Sequence, residues 1–101
     1  MTEYDVDYFI AKFEAIPAES WCMGVYQMGM QHCVFGHCGV EMTAPTREGD
    51  SLYRLFGYSK AVMVNDDVDN YSELGDDPRE RILNALYLIK AGAWEDATCM
   101  T

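Results

Sequence analysis

Basic residues are scarce in this chain: seven lysines and arginines stand against seventeen aspartates and glutamates, for a formal net charge of −10. That balance repels phosphate backbones and anionic lipid headgroups, so nucleic acid is disfavoured as a partner unless the few bases cluster. Long apolar runs are missing as well, and nothing approaches the roughly 18 residues needed to cross a bilayer. The opening residues, Met1-Thr2-Glu3-Tyr4-Asp5, are acidic where a secretory leader is basic, which points to the cytoplasm and away from membranes. Paired Cys-x-x-Cys knuckles, internal repeats and low-complexity tracts are all absent, and no composition shift marks a boundary within the chain.

What is present is a chain of 101 residues, half of them apolar, enough for one modest core and a single domain over residues 1–101. The four cysteines, Cys22, Cys33, Cys38 and Cys99, are expected as free thiols in a reducing compartment.

Val6, Phe9, Ile10, Phe13 and Ile16 form one helical stripe with Asp5 as N-cap and Pro17 as stop. A strand is expected over Trp21–Gln27, turning at Met28-Gly29-Met30, and a short helix between His32 and Met42. Thr46 caps a further helix through Leu52, Leu55 and Phe56 that Gly57 ends. Ala61-Val62-Met63-Val64 reads as a buried strand, and residues 65–77 as a solvated acidic loop with a weak return strand over Tyr71–Leu74. Asp77-Pro78-Arg79-Glu80 is a capping box with proline at the first helical position, opening a helix whose stripe is Ile82, Leu83, Leu86, Ile89 and Ala93, closed by Gly92. The expected class is α+β, mostly helical with a short sheet, in the order α-β-α-α-β-(β)-α, an order compatible with a winged helix.

The densest cluster of chemistry-bearing residues is His32-Cys33-Val34-Phe35-Gly36-His37-Cys38, with Cys22 a strand-length earlier. On a helix Cys33 and His37 share a face, one geometry for zinc, with Cys22 a third ligand. The same pair also suits a thiolate, Cys33 or Cys22, and its base His37, with Asn65 or Asp66 as orienter. Buried thiols and a hydrogen-bonded histidine are the favoured alternative to both, so no metal, no cofactor and no catalytic residue is expected. In the acidic loop Asn65, Asp67, Asp69, Tyr71, Glu73 and Asp76 fall at calcium-loop positions. Asn65 stands where an aspartate is usual, however, and Asn70 where the turn glycine belongs. For nucleic acid, the one stretch that is not acidic carries Arg47, Arg54 and Lys60. Aromatic and methionine side chains outside the clear stripes, Tyr4, Met28, Met30, Tyr58 and Trp94, are candidates for a partner or homodimer contact.

Trp21-Cys22-Met23-Gly24, Cys33-Val34-Phe35-Gly36-His37, Val64-Asn65-Asp66 and Pro78-Arg79-Glu80-Arg81-Ile82-Leu83 carry a resemblance. Over about residues 8 to 90 the chain resembles a family of small uncharacterised proteins of bacteria and their phages with the pattern W-C-x-G, C-A-L-G-H, N-D and P-x-x-R-[IV]-L. It departs in having Val34-Phe35 for Ala-Leu and further acids after Asn65-Asp66. The resemblance implies a bacterial or phage origin and brings no activity. It singles out Trp21, Gly24, Cys33, Gly36, His37, Asn65 and Asp66, and the candidate functional cluster is Trp21, Cys22, Cys33, His37, Asn65 and Asp66. The leading expectation is a non-enzymatic accessory protein that binds another protein through aromatic and acidic surface. Nucleic-acid binding through Arg47, Arg54 and Lys60 is the alternative, followed by a thiol or metal site at Cys33 and His37.

Overall fold

Helix α1, Val6–Glu14, begins where the Asp5 carboxylate accepts from the Tyr8 backbone N–H at 2.9 Å, and it buries Phe9, Ile10 and Phe13 at helical spacing. The structure, a computed structural model, describes residues 4–23, 27–40, 46–57, 60–66 and 71–94. After a 3-10 turn at Ala18–Ser20 the chain forms a tight hairpin, β1 (Gln27–Met28) against β2 (Gln31–His32). Helix α2 is a single turn, Val34–His37, and α3 spans Arg47–Phe56 from its Thr46 cap to Gly57. Helix α4 covers Lys60–Asp66, a second 3-10 turn Ser72–Leu74, and α5 Pro78–Lys90.

The molecule is mostly helical, as expected, but the strands differ from expectation. Ala61–Val64 is helix, not strand: Ala61, Val64 and Asn65 are buried while Val62 and Met63 face out, a spacing only a helix produces. The return strand expected over Tyr71–Leu74 is instead the 3-10 turn Ser72–Leu74, with Tyr71 helical before it. The strand over Trp21–Gln27 reduces to a bridge from Trp21 to His32 and the start of β1, with residues 24–26 outside the described residues. Strand pairing among the described residues is therefore confined to the hairpin and that bridge. Ala93 is exposed beyond the end of α5 and does not extend its stripe. No helix among the described residues is long and apolar enough to cross a membrane.

Helix α5 lies in the middle of the packing, against both α1 and α4, and buries Ile82, Leu83, Ala85 and Leu86. Burying a large apolar side chain such as Ile82, Leu83 or Leu86 contributes about 1.5–3 kcal/mol. Two arginines two positions apart on α5 point to opposite sides, as a turn of roughly 200° requires. Arg79 donates to the Ile16 and Glu14 carbonyls at 2.8 and 2.9 Å, closing the C-terminal end of α1. Arg81 donates to the Val64 and Asn65 carbonyls at 2.8 and 2.7 Å, closing that of α4. Each guanidinium thus supplies the donors and the positive charge that a helix C-terminus lacks.

Candidate functional site

Of the six residues of the sequence cluster, Cys22 and Asp66 bond the buried carboxamide of Asn65, Cys33 precedes its partner Val34, and Trp21 packs on His37. The bridge from Trp21 to His32 continues in the bond from the Cys22 N–H to the His32 carbonyl, 3.0 Å. Where the next rung would join Val34 N–H to Cys22 C=O, the Asn65 side chain stands between them. Its Oδ1 accepts from Val34 at 3.1 Å and its Nδ2 donates to Cys22 at 2.9 Å and to the Asp66 carboxylate at 2.6 Å. A carboxamide carries the donor and acceptor of a peptide group, so Asn65 ties α4 to the start of α2 and to the chain at Cys22. Cys33 caps α2, its sulfur accepting from the Gly36 N–H at 3.4 Å. The His37 ring packs on Trp21 with centroids 4.6 Å apart, and on His32 at 5.3 Å.

These contacts make the cluster a junction of chain segments. Cys22, Cys33 and Cys38 are buried, and Cys99 lies outside the described residues. Burial raises the Cys22 and Cys33 thiols, and the Asp66 charge raises both further, the reverse of what a nucleophilic thiolate needs. Among the described residues no three histidine, cysteine or acidic side chains are grouped to hold a metal ion. The Asn65 carboxamide, placed first in the calcium-loop frame, is engaged by Val34 and Cys22, and Tyr71 of that frame is buried. Asp67 and Asp69 of the same frame lie outside the described residues.

His37 is lowered to about 4, chiefly by burial, then by the nearby His32 and Lys12, with the Ser20 backbone partly opposing. Its Nε2 is buried without a hydrogen-bond partner among the described residues. Because the unfolded chain holds this proton up to its ordinary value near 6.5, protonation favours unfolding between about 6.5 and 4. Stability is therefore complete above about pH 7 and falls with pH below it. Allowing for solvent screening, urea denaturation is expected to give roughly 1 to 2 kcal/mol less at pH 5 than at pH 7.5. The His37→Gln variant is expected to lose that slope. An unchanged slope in the variant would assign the pH dependence to other groups.

The bases of the nucleic-acid alternative are placed differently. Arg47 and Arg54, seven positions apart on α3, share a face and are exposed, and Lys60 opens α4. None of the three has an ion pair among the described residues, whereas Lys12 pairs with Glu48 and Lys90 with Asp7. Of the candidate contact residues, Met28 and Met30 are 56 % and 89 % exposed at the hairpin. Tyr4 packs on Tyr8 and Phe9, Trp94 packs on Phe56, and Tyr58 lies outside the described residues.

Sequence reasoning gave Arg81, the arginine of the P-x-x-R pattern, no role, yet it is fully buried. It also missed a cleft between the ends of α3 and α5 that includes Arg54 and Trp94. Compared with family models, with curated proteins and with solved structures, the chain matches none.

Proposed function

We propose that the chain is a small acidic binding protein of the cytoplasm, from a bacterium or phage, that acts without chemistry of its own by docking on a basic face of another protein. The observation that supports this most is how the bases are used. Lys12 and Lys90 are paired with carboxylates, and Arg79 and Arg81 are bound to helix-end carbonyls. That leaves three cations to offset the remaining acids, and the exposed methionines of the hairpin offer adaptable apolar contact. The raised thiols and the neutral, packed His37 favour this reading over a thiol enzyme or a zinc site.

A second reading, nucleic-acid binding, draws on Arg47 and Arg54 sharing one face of α3. A winged-helix arrangement would reinforce it, but the strands expected over Ala61–Val64 and Tyr71–Leu74 are helical in α4 and at the 3-10 turn Ser72–Leu74. One experiment separates the two. The immobilised chain is offered a cell extract at about 50 and about 500 mM salt, and a labelled oligonucleotide in parallel. Basic proteins retained at low salt and released at high salt, with no oligonucleotide bound, are the expected result. Captured proteins indifferent to salt would defeat the first reading. Oligonucleotide binding that weakens in Arg47→Ala, Arg54→Ala and Lys60→Ala alike would establish the second.

A further inference from the structure

Where α3 and α5 end they border an open cleft of about 360 Å³, lined by Leu55, Phe56, Ile89 and Trp94, with Arg54 as the charged group of its lining. Its size lies within the range of small-molecule sites, roughly 300 to 1,000 Å³. Two glycines in the left-handed region, Gly57 at φ +85° and Gly92 at φ +74°, complete the lining. Among the described residues a Cβ built on either would meet nothing within 4 Å.

Helix C-termini ordinarily present carbonyl oxygens, which would repel an anion. Here several of those carbonyls already have partners. The Gly57 N–H donates to Tyr53, the Gly92 N–H to Ile89 and the Ala93 N–H to Leu88. The Trp94 indole N–H donates to the Phe56 carbonyl at 3.0 Å. With the indole donor occupied, the guanidinium of Arg54 is, among the described lining residues, the side-chain donor left for a ligand. It has no ion pair among the described residues, in a chain where acids outnumber bases by more than two to one. A planar guanidinium favours carboxylate or phosphate oxygens taken two at a time, and the aromatic and aliphatic walls favour a flat apolar body.

We propose that this cleft binds a small organic anion, a carboxylate or phosphate group carried on an aromatic or apolar body, with Arg54 holding the anion and Trp94 and Ile89 holding the body. The site is separate from the Asn65 junction and does not depend on the protein-docking reading above.

The test is an NMR titration of the isotopically labelled full chain with benzoate and with phenyl phosphate, using benzyl alcohol and benzylamine as neutral and cationic controls. Both anions are expected to give saturable shifts at the Gly57 and Gly92 amides and the Trp94 indole N–H, and the tighter of the two identifies the head group. Arg54 is exposed, so Arg54→Gln keeps the fold, and it is expected to weaken anion binding at least tenfold. Lys90→Gln removes the same charge nearby, outside the cleft lining, and is expected to leave the affinity within twofold. The proposal is overturned if neither anion saturates, if the alcohol or amine binds as well as the anions, or if the two variants lose affinity equally.

Discussion

Replacing Asn65 by leucine is expected to lower the unfolding free energy by about 3 to 5 kcal/mol, measured as a shift of the urea midpoint at constant slope. Leucine keeps the branched shape of asparagine but is larger, so at this fully buried position the gain from transferring an apolar group from water is opposed by overpacking. The loss comes from the groups left behind. The Val34 N–H and the Cys22 carbonyl would both be without partners in a dry junction, each at about 1–3 kcal/mol, and the Asp66 carboxylate would lose its donor. Asn65→Asp provides the second arm, since it keeps the acceptor facing Val34 but replaces the donor facing Cys22 with a carboxylate beside Asp66. It is expected to be about as destabilising at pH 7. Its deficit relative to the parent is expected to shrink as pH falls towards 5, because burial and Asp66 favour the protonated carboxyl. A loss below about 1 kcal/mol in both variants would show that Asn65 does not hold these segments together.

That one polar residue carries this junction explains much of what the sequence did and did not disclose. Helices α1, α3 and α5 were legible because their stripes are made of apolar residues and their ends carry chemistry that works locally. Asp5, Thr46 and Asp77 cap as read, with Asp77 accepting from Glu80 at 2.8 Å. The capping box is displaced by one residue, for the Glu80 carboxylate accepts from the Asp76 N–H, not from Asp77. Helix α4 was misread because Ala61-Val62-Met63-Val64 is a contiguous apolar run with no period of its own. Its helical period appears only when Asn65 is counted among the inward residues, and composition argues for an exposed asparagine. Within the candidate cluster, Asn65 bonds Cys22 and Asp66, and Trp21 packs on His37. The character of the cluster was not legible, because spacing does not tell a thiol facing a cleft from one facing a core. The cleft beside Arg54 was invisible for another reason: it exists only where two helix ends distant in sequence meet.

Arg81→Met is expected to have an effect as large as loss of Asn65, about 3 to 5 kcal/mol by the same measurement. Methionine fills much of the arginine's volume and removes a buried charge, which by itself is favourable. Against that stand four acceptors. Arg81 reaches the Val64 and Asn65 carbonyls at 2.8 and 2.7 Å, the Gly75 carbonyl at 3.3 Å and the Met23 sulfur at 3.3 Å. No carboxylate pairs with it among the described residues, so its charge is balanced by the carbonyl end of α4 and its removal leaves that end bare. Arg81→Lys discriminates between charge and geometry. An ammonium keeps the charge but lacks the flat fork that reaches Val64, Asn65 and Gly75 together, and burial favours its neutral form. It is expected to recover less than half of the loss. Full recovery by lysine would reduce the role of Arg81 to charge alone. A methionine variant as stable as the parent would mean that water reaches those carbonyls, and that α5 does not depend on this contact to hold α4.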